Sequence, residues 1–173
     1  MRVEGEKYAF SWALLGNTQL GRPNLGETIS VKVYRLMQYT FRDVLERIYG
    51  TEAADNLFLE AGKLAGRHFY ENLIAGAPDF QQFIQSLQDM FRSLGVGVIR
   101  IEKAEPPFEE IMLSVEEDAD CSGLPELDYE YCRYDEGFIA GILEGFTKRP
   151  YDVKEIDCWC TGGRACRFQA KAL

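Results

Sequence analysis

Residues 154–168 read KEIDCWCTGGRACRF, two short strand-like runs flanking the pair Gly162–Gly163. Adjacent glycines supply the positive φ that tight turns demand. KEIDCWC and ACRFQAKA (165–172) are therefore expected to pair as an antiparallel hairpin. A second hairpin is predicted from VGVIRIEK (96–103) and FEEIMLSVEE (108–117), which are separated by the AEPP turn region. Elsewhere the apolar spacing changes to threes and fours. Val33, Leu36, Met37, Phe41, Val44, Leu45 and Ile48 predict a helix over 29–48. Gly50 is its natural stop, and Thr51 can cap a second helix running to about Ala75. A third helix is expected after Pro78, with Asp79 and Gln82 in capping-box spacing and Phe83, Ile84, Leu87 and Phe91 on its apolar face. A fourth covers roughly 127–147. Helices followed by a hairpin, a helix and a hairpin define an α+β fold with an antiparallel sheet.

The 173 residues suit one domain over 1–173, with a sizeable core. Hydrophobic residues make up 46% and charged residues 27%, an ordinary globular balance. A net charge of −9 argues against a nucleic-acid partner, since phosphates are neutralised by clustered Lys and Arg. No apolar run approaches the roughly 20 residues of a membrane span. The amino terminus lacks a cleavage pattern, so a cytoplasmic location with reduced thiols is expected.

Two glycine patterns fall on predicted helices: Gly62 and Gly66, and the ladder Gly137, Gly141 and Gly145. Each Gly costs a helix about 1 kcal/mol relative to Ala. Either a neighbouring element approaches closely there, or the bare faces leave room for a ligand.

The cysteines are Cys121, Cys132, Cys158, Cys160 and Cys166. On a regular strand Cys158 and Cys160 share a face, and Cys166 lies on the opposing arm. Glu155 sits at an odd offset from Cys158, so only a bend or loop would bring it to the same face. His68, the one histidine, stands on the second helix and reads as a packed or surface residue. Metal binding, inert buried thiols and a disulfide all remain open from spacing alone. A zinc site here would have to be cysteine-rich with a carboxylate supplement. The chain has no Cys-x-x-Cys redox pair.

The combined pattern is more specific. A Cys precedes a Gly-rich helix in YEYCRYDEGFIAGILEGF (129–146), then Glu-x-x-Cys and Cys-x7-Cys-x-aromatic follow in 154–168, with weaker support from LFLEAGKLAGRHFYENL (57–73). This order resembles the vinyl-4-reductase (4-vinyl reductase) domain family, a group of predicted hydrocarbon- or small-molecule-binding domains that includes the sensor domains of phenol- and toluene-responsive activators. The resemblance implies an α+β ligand-binding fold shared with nitric-oxide sensor and vesicle-tethering (TRAPP-like) domains. It also implies a structural zinc held by Cys132, Glu155, Cys158 and Cys166, leaving Cys121 and Cys160 as free thiols, and a homodimer formed through helices. The phenol-sensing relatives hold the phenol hydroxyl with a His and a Trp, and Phe91 and Ile111 stand at the rough equivalents here. An apolar pocket is still expected, lined by Phe83, Leu87, Phe91, Ile111, Leu113, Tyr134 and Phe138.

The resulting expectation is a cytoplasmic binding or sensing domain for a small aromatic or hydrocarbon-like molecule, signalling through a separate output partner. One alternative is an accessory protein or vinyl reductase of a tetrapyrrole pathway, although no Gly-x-Gly-x-x-Gly lies between a strand and a helix to hold a hydride donor. A ligand-free assembly module is the other.

Overall fold

The computed structural model describes residues 9–127 and 132–173. A single 3-10 turn (Trp12–Leu15) and the short helix α1 (Thr18–Gly21) lead into α2 (Val31–Tyr49) and α3 (Thr51–Phe69). Helix α3 continues as a π-helical turn, Tyr70–Ile74, so the second helical stretch ends close to the expected Ala75. Helix α4 (Phe80–Leu94) begins at Asp79, whose Oδ1 accepts the Gln82 backbone N–H at 2.8 Å. The Gly95 αL residue closes it. Strands β1 (Val98–Ala104) and β2 (Glu110–Glu116) follow, then α5 (Arg133–Thr147), β3 (Tyr151–Asp157) and β4 (Cys166–Ala172). The expected start of the fourth helix extends into 128–131, outside the described residues; the helix itself begins at Arg133, with Cys132 as its N-cap.

All strand pairs are antiparallel, in the order β1-β2-β4-β3, so both predicted hairpins form and their inner strands join them into one sheet. The α+β expectation holds. Alternation sets the two faces. Ile111, Leu113, Val115, Phe168, Ala170, Tyr151 and Val153 are buried toward α4 and α5. The opposite face carries Arg100–Glu116, Lys103–Glu110 and Arg167–Glu102 ion pairs. Above the sheet, Phe83 of α4 stacks on Phe146 of α5 with ring centroids 4.3 Å apart.

The glycines settle in favour of close approach. A Cβ on Gly62 would strike the Tyr134 carbonyl oxygen, and one on Gly66 the Phe138 oxygen. From the other side, Gly137 faces the Leu59 oxygen and Gly141 the Lys63 oxygen. Helices α3 and α5 thus meet backbone to backbone, and the bare faces leave no room for a ligand.

One sequence expectation fails locally. KEIDCWC is not strand throughout: β3 ends at Asp157, and Trp159–Thr161 form a 3-10 turn. Cys158 and Cys160 therefore do not share a strand face by alternation.

Candidate metal centre and adjoining cavity

Four elements bring the cysteines together. Cys132 sits at the amino end of α5, Cys158 just after β3, and Cys166 opens β4. The fourth, Cys121, comes from the loop after β2. Helix α2 clasps that loop through polar contacts. Arg35 Nε donates to Ala119 O at 2.6 Å, and its Nη2 donates to Ser122 O at 2.9 Å. Tyr34 Oη and Gln38 Nε2 donate to the two Asp120 carboxylate oxygens at 2.7 and 2.8 Å, while Tyr39 Oη donates to Asp120 O. On the far side, Leu127 N donates to Cys160 O at 2.7 Å and Trp159 Nε1 to Leu124 O at 3.1 Å. These bonds fix the loop between α2 and the β3–β4 turn.

The Sγ atoms of Cys121, Cys132, Cys158 and Cys166 all lie within 4.8 Å of one another and are buried, a group able to hold a metal ion. The Cys132–Cys158, Cys132–Cys166 and Cys158–Cys166 separations are each 3.8 Å. Cys121 lies closer to Cys166, at 2.9 Å. Thiol donation from Cys121, Cys132 and Cys166 pulls the Cys158 pKa down. Cys132 is driven up, chiefly through Cys121. Cys160 is buried but stands outside this group.

Glu155 faces the core by the regular alternation of β3, with Tyr151 and Val153, and the irregularity the sequence reading required lies just after it, where it changes the offset to Cys158. The β3–β4 register runs Glu155↔Phe168 and then Asp157↔Arg167, so Ile156 is an extra residue that resets the alternation. The Glu155 backbone N–H donates to Glu136 Oε1 at 2.9 Å, which pins the bulge to α5. Its own carboxylate is buried, and neither oxygen has a hydrogen-bond partner among the described residues. Burial, then the Cys158 charge, pushes its pKa up to about 9.

Beside this cluster a cavity of about 670 Å³ opens between the start of α2, the ends of α3 and α4, the 118–120 loop and the first turns of α5. Of the seven residues expected to line a pocket, Phe91, Tyr134 and Phe138 do so here, joined by Phe69 and Ile139. Phe83, Leu87, Ile111 and Leu113 are instead buried in the core between helices and sheet. Ile111, for example, pairs with Ala170 inside the sheet. Asp118, Asp120 and Asp135 also line the cavity, and no sequence pattern singled them out. For Asp118 and Asp120 the one legible signal was the acidic run 116–120, which is more often a solvated face. Burial and then the Asp120 charge push Asp118 up to about 7. His68 makes an edge contact with Phe10 at 5.1 Å and takes no part in either feature.

Fold and site together describe an α+β domain with a cysteine cluster tying its last helix to its last hairpin, next to a cavity with aromatic walls. Residues 111–172, which carry β2, the Cys121 loop, α5 and the terminal hairpin, match the family model of the vinyl-4-reductase domain, and the resemblance read from the sequence holds. The fold is shared with solved structures. The phenol-responsive sensory domain of the transcription activator PoxR, solved with phenol, superposes with a TM-score of 0.65 at 16% identity, covering 83% of this chain and 75% of that one. A vinyl-4-reductase family protein from Methanocaldococcus jannaschii gives 0.59 at 17% identity, covering 86% and 84%. A trafficking protein particle complex subunit 3 from Naegleria fowleri, covalently bound to palmitic acid, gives 0.67 at 12% identity, covering 85% and 97%. Among the described residues no helix is long and apolar enough to cross a membrane.

Proposed function

We propose that this chain is a binding or sensing domain for a small hydrophobic molecule, stapled by a structural zinc ion. The observation that carries the ligand reading is the cavity of about 670 Å³, walled by Phe69, Phe91, Tyr134 and Phe138 with a few convergent polar groups. That combination of an apolar body and sparse polar anchors is the general form of small-molecule sites. The family match and the fold shared with a phenol-responsive sensory domain support the same reading. A thermal-shift panel of aromatic and aliphatic compounds tests it. Several members should raise Tm, and Phe138→Ala should abolish the gains; a flat panel with ligand-free protein rejects the reading.

Zinc is supported by the donor geometry. A tetrahedral ion with thiolate sulfur at about 2.3 Å has S···S edges of about 3.8 Å. Cys132, Cys158 and Cys166 form a triangle with that edge. The Cys121–Cys166 separation of 2.9 Å is too short for two vertices of the same tetrahedron. We assign the fourth position to Glu155, whose buried, unpartnered carboxylate otherwise lacks any compensation, and make Cys121 a hydrogen-bonding neighbour of the Cys166 sulfur. The proximity of all four sulfurs favours one competing set, four cysteines with Glu155 outside. Such a closed site is structural, with no open position for an activated water. Metal analysis by native mass spectrometry should find one zinc per chain, lost in Cys158→Ser. Metal-free protein of unchanged stability would reject the site.

A second observation favours self-association. Leu36, Met37, Phe41 and Ile48 on α2 are between 59 and 66% exposed. Met37 and Phe41, with Leu57 of α3, border an apolar groove of about 450 Å³. A contiguous apolar surface of this kind marks an interaction site rather than scattered surface residues, and a homodimer through α2 and α3 would cover it.

A further inference from the structure

One wall of the cavity is built of carboxyl groups. Asp118, Asp120 and Asp135 all line it, with Asp118 and Asp120 only 5 and 4% exposed. Their hydrogen bonds are unequally met. Both Asp120 oxygens are taken, by Tyr34 and Gln38. Asp118 Oδ1 accepts the Asp120 backbone N–H at 2.6 Å. Asp135 Oδ2 is buried with no hydrogen-bond partner among the described residues. Cationic groups nearby are engaged elsewhere or remote. Arg35 directs its guanidinium to the carbonyls of Asp118, Ala119 and Ser122. Arg92 lines the cavity only from the exposed end of α4, and Glu27, also at the rim, accepts from Thr18.

A buried carboxylate oxygen without a donor is a costly arrangement that a bound donor relieves. An anionic guest would bring further negative charge to buried carboxyls that already resist ionising beside one another. A neutral hydrocarbon would fill the aromatic side and leave Asp135 unpaired. A bare metal ion would satisfy the carboxylates but leave Phe69, Phe91, Tyr134 and Phe138 facing open space. A guest that carries a cationic head on an apolar body satisfies both sides, and the aromatic faces add cation–π attraction to the head. The neighbouring cysteine cluster does not change the sign, because a divalent ion on three thiolates and a carboxylate still leaves net negative charge.

Resting on the reading of this cavity as a ligand site, we infer that it selects a hydrophobic amine: an ammonium head against Asp118 and Asp135, and an aromatic or alkyl body against Phe91, Tyr134 and Phe138.

Three near-isosteric indoles separate the possibilities by isothermal titration calorimetry on the full chain: tryptamine (cationic), tryptophol (neutral) and indole-3-propionate (anionic). Tryptamine should bind at least about tenfold tighter than tryptophol, a difference of about 1.4 kcal/mol, and indole-3-propionate should be weakest. Asp135→Asn should erase the preference for tryptamine over tryptophol; Asp118→Asn serves the same purpose should the first variant not fold. Phe138→Ala should weaken all three. Equal affinities for tryptamine and tryptophol, or a preference for indole-3-propionate, overturn the amine inference and leave an apolar site standing. Absence of binding by all three, or binding indifferent to Phe138→Ala, overturns the cavity reading itself.

Discussion

In the proposed zinc site Glu155 and Cys121 compete for one role, and each can be removed without touching the other. With Co2+ in place of zinc, sulfur and oxygen donors give different charge-transfer intensities. If Glu155 is the fourth ligand, Glu155→Gln alters the visible spectrum and weakens metal binding by about 10-fold or more, while Cys121→Ser leaves the spectrum that of three thiolates. The reverse pattern would assign four cysteines. Asp118 offers a second test at this scale. Its folded pKa of about 7 lies above the ordinary 3.8, so the folded protein holds this proton after the unfolded chain has released it. Stability from this group is therefore present at low pH and is lost as pH rises from about 4 to about 7. Urea titrations should show that Asp118→Asn flattens this part of the pH profile relative to wild type. Equal slopes for the two proteins would place the Asp118 proton elsewhere. The grouping of Cys132, Cys158 and Cys166 was legible in the sequence through the family resemblance, while spacing alone left metal, buried thiols and a disulfide open. Cys121 was not, because its place depends on side chains of α2 more than 80 residues earlier in the chain, such as Tyr34 on Asp120.

At the scale of the element, periodicity identified α2, α4 and both hairpins, and it predicted the apolar rows correctly without saying what covers each row. The α4 row, Phe83, Leu87 and Phe91, is buried against the sheet. The α2 row, with an equally regular pattern, is largely exposed. Burial is a property of the partner surface, so pattern alone gave the two helices the same interpretation. The same reasoning explains why Phe83, Leu87, Ile111 and Leu113, expected along a pocket, pack in the core and not along this cavity. Met37→Glu and Phe41→Glu test the exposed row directly. If the chain dimerises there, light scattering should show the wild type as a dimer and the double variant as a monomer with unchanged circular dichroism. A wild-type monomer at about 100 μM would remove the dimer, since an interface worth having on this surface should hold at far lower concentration.

At the scale of the whole molecule, the cysteine cluster is the point where the loop after β2, the start of α5 and the β3–β4 hairpin converge. Among the described residues the hydrogen bonds that also link these segments are few, such as Leu127 to Cys160. If the cluster holds zinc as proposed, chelation should therefore cost more than a local contact would. A loss of about 3 kcal/mol corresponds to about 6–12 °C in Tm for a chain of this size, and calorimetry with and without chelator would measure it. An unchanged Tm after complete metal removal would make the cluster ornamental to stability. The α+β class and the sheet content were readable because strands and helices announce themselves locally. The cavity was not, because its walls come from five separate stretches of chain whose meeting is fixed only by the packed fold.

The α3–α5 seam has a mechanical consequence. Where carbonyl oxygens of one helix lie against bare Cα atoms of the other, there are no side chains between them to change rotamer and absorb a shift. Gly141→Ala should show this as a loss of about 1–3 kcal/mol, against the gain that alanine brings to an unobstructed helix, because its Cβ would strike the Lys63 oxygen. Phe138 and Tyr134 ride on one half of this inflexible spine and Phe69 on the other. In the proposed site a guest of unexpected shape would therefore meet three aromatic walls whose backbone resists displacement, and backbone adjustment would fall to α2 and to the loop that its Tyr34, Arg35 and Gln38 hold in place.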